Sequence, residues 1–272
     1  MRRLSLVATA MACAVAVACA EVGTAPDVPA AIELPPFAYP SVVVGDTLRN
    51  EAGIATPVRA IVRNSAGDII TGATPTYLYA DFLRDTALIV DATSGMVFAR
   101  RAVTEGRIAA RIGSSLQVLR PLIATLRPDT ADASANPTDL ILIFPDTGRA
   151  RAQANTTREM TVRVRNRQTS LPTDVNGWLV RYQLLRPANP TNDTSAAVYL
   201  VNDNGGASTL DTTSSGVASR RARVRANLFP VAQGSARVID SVIVQATVTY
   251  KGRAVAGSPF RFAAPVIRPA SQ

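Results

Sequence analysis

Residues 58–112 read VRAIVRNSAGDIITGATPTYLYADFLRDTALIVDATSGMVFARRAVTEGRIAARI. Short runs of Val, Ile, Ala, Tyr and Phe are broken by Asn, Gly, Asp, Ser and Pro about every ten residues, the rhythm of strands in a sandwich or barrel. In the last run Ile108, Ala110 and Ile112 alternate with Arg107, Ala109 and Arg111. A period of two buries one face of an antiparallel strand and leaves the other wet. The segments Asn64-Ser65-Ala66-Gly67-Asp68 and Thr93-Ser94-Gly95 supply the turn chemistry between runs.

A weaker copy of this stretch returns later. Val62-Arg63-Asn64 reappears as Val164-Arg165-Asn166, and Ser94-Gly95-Met96-Val97 followed by Arg100-Arg101 reappears as Ser215-Gly216-Val217 followed by Arg220-Arg221. Two copies in the same order predict one fold used twice. The chain of 272 residues has room for two cores. Its hydrophobic content is 47% with aromatics at only 5%, so Val, Ile, Leu and Ala should fill those cores around a single Trp178.

Histidine is absent. That removes the commonest general base and zinc ligand, and with them any Ser-His-Asp or Cys-His arrangement. The chain carries 29 Lys plus Arg against 20 acids, and Lys251 is its only lysine. So basic a balance can indicate nucleic acid, but the first twenty residues argue against that partner. Met1-Arg2-Arg3 is a short positive region, and residues 4–18 form an apolar stretch too short for an ordinary membrane span. This is the pattern of a secretory signal. Ala16-Val17-Ala18-Cys19 resembles a lipoprotein lipobox, with Ala16 where Leu is preferred, and it predicts lipidation of Cys19. The alternative is the Ala18-Cys19-Ala20 site, cleaved before Glu21. Either way the expected location is the cell envelope, and lipidation predicts an outer-membrane lipoprotein with the membrane as a partner. Both cysteines, Cys13 and Cys19, lie in the leader, so no disulfide is expected in the folded part.

Residues 21–40 contain Pro26, Pro29, Pro35, Pro36 and Pro40 and read as an extended tether. Strands are predicted at residues 41–50, 57–63, 75–80, 87–91, 96–101, 106–112 and 115–124. Val44-Gly45-Asp46-Thr47, Val62-Arg63-Asn64-Ser65-Ala66-Gly67, Ser94-Gly95-Met96-Val97 and Gly106-Arg107-Ile108-Ala109-Ala110 together resemble bacterial Ig-like domains of invasin and intimin type. The resemblance covers roughly residues 38–126. It implies a β-sandwich that serves as a spacer, an adhesin or an envelope-surface module, with no catalytic residues to carry over. The predicted fold class is therefore all-β, with two tandem Ig-like β-sandwiches at residues 41–126 and 138–268.

Residues 127–137, RPDTADASANP, are polar and bounded by proline, which predicts a linker. Leu140-Ile141-Leu142-Ile143-Phe144 reads as a strand apolar on both faces. Further strands are predicted at 158–166, 177–185, 196–201, 217–228, 238–250 and 253–262, with polar loops at 186–195 and 202–215. Val242, Val244, Ala246, Val248 and Tyr250 form one face of the 238–250 run, and Tyr250-Lys251-Gly252-Arg253 predicts a tight hairpin. Trp178 falls where an Ig-type sandwich carries its core tryptophan on the third strand.

Arg163, Arg165 and Arg167 alternate with valines, and Arg221, Arg223 and Arg225 alternate with Ala222 and Val224. On adjacent strands they would make one basic outer face. Like charges opposed across strands are unfavourable, so the face is a candidate site for an anionic polymer or an envelope protein. A solvated face neutralised by acids such as Glu159 is the competing reading. Asn202-Asp203-Asn204-Gly205-Gly206 offers oxygen ligands without EF-hand spacing and reads as a turn. No metal, cofactor, nucleic acid or catalytic residue is predicted. The expected function is non-enzymatic, in adhesion, scaffolding or binding of a protein partner. The alternative is binding of a polysaccharide or other anionic polymer through the basic face.

Overall fold

Valine-rich segments with a two-residue period can satisfy their backbones only by pairing side by side, and the computed structural model shows this throughout. It describes residues 27–81, 86–135, 140–141, 155–168, 171–228 and 237–268. The leader, Cys19 and Leu142-Ile143-Phe144 lie outside them. The described residues are all-β, without a helix.

The N-terminal half holds β1 (Ala31–Glu33), β2 (Ser41–Val43), β3 (Ile61–Arg63), β4 (Thr76–Tyr79), β5 (Leu88–Val90), β6 (Val97–Ala99), β7 (Arg107–Ile112), β8 (Leu116–Pro121) and β9 (Ile123–Thr125). The C-terminal half holds β10 (Thr130–Ala133), β11 (Leu140–Ile141), β12 (Met160–Asn166), β13 (Thr173–Asp174), β14 (Leu179–Arg186), β15 (Val198–Val201), β16 (Leu210–Thr212), β17 (Val217–Val224), β18 (Arg237–Thr247), β19 (Thr249–Tyr250), β20 (Arg253–Ala254) and β21 (Phe260–Arg268).

In the C-terminal half one sheet runs β10-β12-β17-β15 and the other β11-β21-β18-β14-β16. Lettered along the chain, with β11, β13, β16 and the β19–β20 hairpin left aside as additions, these are A-B-E-D and G-F-C, the Ig-like strand order. The predicted period holds in β18, where Val242, Val244 and Ala246 are buried together with Val248 just beyond its end. They pack against Met160, Val162 and Val164 of the facing sheet.

The N-terminal half repeats half of this plan cleanly. Its β4-β7-β8 sheet is again C-F-G, and β2 runs parallel to β9 as β11 runs parallel to β21. The opposing layer is broken into the pairs β1-β3 and β5-β6. The sequence repeat acquires a structural meaning here. Val62-Arg63 and Val164-Arg165 lie on β3 and β12, the second strand of each plan, while Val97 and Val217 open β6 and β17, the fifth. Asn64 and Asn166 are both buried turn-formers: the Asn64 side-chain oxygen accepts from Ala66 and Asp68, and that of Asn166 from Gln168. Gly95 and Gly216 both enter the fifth strand with φ near +75°, at 73° and 77°. What recurs is turn chemistry that permits a left-handed residue.

Two predicted boundaries are corrected. The tether was expected to reach residue 40, yet residues 31–33 pair with β3, and Leu34 and Tyr39 are buried. Proline excludes central ladder positions but not an edge strand or an extended entry, so this segment builds the fold. The linker expected at 127–137 contains β10, which pairs with β12 and buries Ala131. Short Ala and Thr side chains make a strand that composition alone reads as loop. Only residues 126–129 separate β9 from β10. The 41–50 segment also shortens, since Gly45 at φ 79° turns the chain out of β2.

Candidate functional site

The basic face is built by β12 and β17, which pair antiparallel. Val162, Val164, Ala222 and Val224 point into the core, so Arg163, Arg165, Arg221 and Arg223 stand on the outside of the sheet. The two rows share a face, as predicted, but not a latitude. Met160 opposes Arg220 and Arg163 opposes Val217. Arg163 and Arg221 are thus displaced by four residues along the strands, about 13 Å at the usual rise. The rows run away from each other, which removes the cross-strand repulsion expected of a six-fold ladder.

Their partners differ. Arg163 donates from Nη2 and Nε to Asp174 on β13 at 2.6 and 2.9 Å. Arg165 donates to Asp132 on β10 at 2.8 Å. The hydrogen bond from Arg163 holds the Asp174 carboxyl below its ordinary range. Arg167, just past β12, is exposed, and its backbone N–H donates to Asp129. This end of the face is a neutralised network. At the other end Arg221 pairs with Glu159. Arg223 and Arg225 instead lie over Tyr199 of β15, with guanidinium carbons 5.9 and 5.7 Å from the ring centroid. Among the described residues neither has an ion-pair partner.

The free edge of β15 is closed. The Asn192 side chain accepts from Leu200 N–H at 2.6 Å and donates to Leu200 C=O at 3.0 Å, and Asn189 donates to Val198 C=O. The loop preceding β15 thus stands in for a neighbouring strand and blocks edge-to-edge pairing there. The Asn202–Gly206 loop is the predicted turn: the Asn202 side-chain oxygen accepts from Asn204 and Gly206 N–H.

A second constellation was not foreseen from sequence. The predicted hairpin forms, with β19 paired to β20 and both Lys251 and Gly252 at positive φ, and its tip seats against the N-terminal half. Asp46, 8% exposed, accepts from Arg49 at 2.7 and 2.9 Å, from Thr47 N–H at 2.8 Å and from Tyr250 Oη at 2.8 Å, with Lys251 Nζ at 3.3 Å. Burial opposes its ionisation, but the bonds from Arg49, Tyr250 and Thr47 outweigh burial and hold the carboxyl far below the usual range. Burial, and then the Asp46 bond, push the Tyr250 hydroxyl up. Beside it Trp178 lies between Tyr39, tilted by 33° at a centroid distance of 5.1 Å, and Tyr250, edge-on at 5.9 Å. Its indole N–H donates to Thr249 C=O, and Ser41 Oγ donates to Gly177 C=O at 2.7 Å within the buried seam. Trp178 therefore sits at the end of the third strand, where it plugs the joint between the two cores. Tyr39 and Val43 belong to the core of the C-terminal half. The gap left at the joint measures about 20 Å³, room for one water at most. The sequence carried one usable signal, the hairpin turn of Lys251-Gly252, but not what it touches.

No known family model matches this sequence, and no curated protein matches it. Among solved structures the chain is similar to the protocadherin gamma B7 extracellular cadherin domains 1–4, at 11% identity over 87% of this chain and 49% of that one, with TM-score 0.27. The Escherichia coli adhesin FdeC matches at 13% identity over 86% and 63%, TM-score 0.27. A β-glycosidase from Bacteroides vulgatus matches at 8% over 86% and 24%, TM-score 0.28. The chain spans less than two thirds of each. The Ig-like assignment rests on strand order, not on these likenesses.

Proposed function

We propose that this is a non-enzymatic cell-envelope lipoprotein, anchored through Cys19, whose two Ig-like modules form one stiff unit that presents a docking face to a partner. The observation that carries this reading is the joint. A spacer of independent beads would leave its connections exposed and polar, whereas here Tyr39, Trp178, Tyr250 and Asp46 are packed into a continuous seam. Such a seam fixes the direction in which the outer faces of the second module point. That is useful to a scaffold or adhesin.

Two measurements test it. An intact-mass spectrum of the mature protein, expressed with its leader in a Gram-negative host, should show diacylglyceryl-modified Cys19 as the first residue. A mature chain beginning at Glu21, or one retaining its leader in the cytoplasm, removes the anchor from the proposal. Small-angle scattering of residues 21–272 should give one extended, fixed shape; a distribution of inter-module angles would remove the stiff unit.

A further inference from the structure

The six arginines of the basic face are not equivalent, and the difference singles out one end. Arg163 and Arg165 have spent their donors on Asp174 and Asp132. Arg221, Arg223 and Arg225 form a row at alternate positions along and just beyond β17, about 7 Å apart at the strand rise, with Glu159 paired to the first. The bonds from the Ser195 amide and hydroxyl hold the Asp193 carboxyl below its ordinary range, with Arg225 near enough to add to the effect, so this carboxylate is engaged by Ser195. Arg223 and Arg225 hold their guanidinium carbons over the Tyr199 ring at 5.9 and 5.7 Å from its centroid, and the Nε atoms of all three arginines are buried without a hydrogen-bond partner. The buried Nε atoms are out of reach of an external ligand, so the donors left to each guanidinium are its terminal Nη groups, whose N–H pairs can meet a carboxylate in two bonds. Tyr199 itself is 7% exposed, so it offers no platform on which a sugar ring could stack.

We propose that the Arg221-Arg223-Arg225 row of β17 binds a linear polyanion bearing carboxylates, an acidic polysaccharide, through charge-assisted bonds from Arg223 and Arg225. The row is straight and spans about 13 Å, which suits an extended chain better than a single ion. Recognition runs through the charged groups of the polymer because Tyr199, the ring beside the row, is buried. This deepens the docking reading by naming the chemistry of the partner.

The test uses the chain from residue 21 onward and immobilised polygalacturonate, with neutral dextran and phosphatidylglycerol vesicles as the other arms. The wild type should bind polygalacturonate and not dextran, and binding should weaken steeply with salt. Arg223→Gln with Arg225→Gln should lower affinity at least tenfold, whereas Arg163→Gln with Arg165→Gln should change it less than twofold. Arg223→Lys with Arg225→Lys keeps the charge and loses the fork, so it should also bind several-fold more weakly; its melting temperature controls for folding. Absence of binding by the wild type, equal losses from the two Gln pairs, full binding by the Lys pair, or binding to vesicles but not to polygalacturonate would each overturn the site. None of these outcomes bears on Cys19 or on the rigidity of the joint, so the site and the scaffold reading fail separately.

Discussion

Replacing Asp46 by Ala should loosen the joint before it unfolds either half of the chain. The carboxylate is the shared acceptor for Arg49, Tyr250 and the Thr47 amide and the counter-charge for Lys251. Removing one partner of a buried ionic network costs about 3–5 kcal/mol. The Arg49 and Lys251 side chains are 25% and 48% exposed and recover part of their hydration, so the lower end, about 3 kcal/mol, is expected. For a cooperative unit of this size that corresponds to a fall of about 6–12 °C in melting temperature. Trp178 is the only tryptophan, so its emission reports the joint directly, while far-UV circular dichroism reports all the strands. In the wild type both signals should melt together. In Asp46→Ala the emission should already be red-shifted in the folded state, and its transition should precede the circular dichroism transition. Coincident melts at the wild-type temperature, with unshifted emission, would show that the Asp46 network contributes nothing to the joint. The same carboxylate sets the acid response. Its folded pKa is depressed, so its contribution is complete above the ordinary Asp value of about 3.9 and is lost progressively as pH falls below that. The joint should therefore persist at pH 5 and weaken below about pH 4.

Gly53→Ala should act at the same place by a different route. Gly53 has φ 80°, and a Cβ there would lie 2.2 Å from the Lys251 carbonyl carbon, so the hairpin must lift off and the melting temperature should drop by several degrees. Arg220→Ala removes an arginine that is 6% exposed and bonded to Asp211 at 3.1 Å; the Asp211 side chain is 26% exposed and recovers part of its hydration, so denaturant unfolding should show a loss of about 1.5–3 kcal/mol. A loss below 1 kcal/mol would mean that Arg220 reaches solvent. Asn192→Ala uncaps Leu200, and amide exchange at Leu200 should accelerate about five- to tenfold for the loss of roughly 1 kcal/mol of hydrogen bonding. Unchanged exchange would show that the edge of β15 is protected by something else.

The readings that succeeded from sequence were local. Alternation in residues 242–248, the left-handed turns at Gly95 and Gly216 and the Lys251-Gly252 hairpin follow from backbone sterics and a two-residue period, which act within a few residues of chain; in residues 107–112 the parity holds for Arg107, Ile108, Ala110 and Arg111, but Ala109, expected on the wet face, is fully buried. Strand segments rich in Val declared themselves; β1 and β10 did not, because Pro and Ala carry little of that signal and their burial depends on what lies across the sheet. The candidate site divides in the same way. That Arg163, Arg165, Arg221 and Arg223 share an outer face was legible from alternation with Val and Ala. Their displacement along the strands, and the assignment of Asp174 and Asp132 to Arg163 and Arg165, Glu159 to Arg221 and Tyr199 to Arg223 and Arg225, required the register of five strands.

For the Val-rich segments, strand formation, the turns between them and most of the inward-facing residues follow from the chain alone, because those outcomes depend on φ, ψ and side-chain parity. Only the tertiary structure decided which arginines keep free donors and that Asp46, Trp178 and Tyr250 would meet. Contacts between residues some two hundred positions apart are fixed by sheet register and module packing, and neither is written in any local stretch of chain.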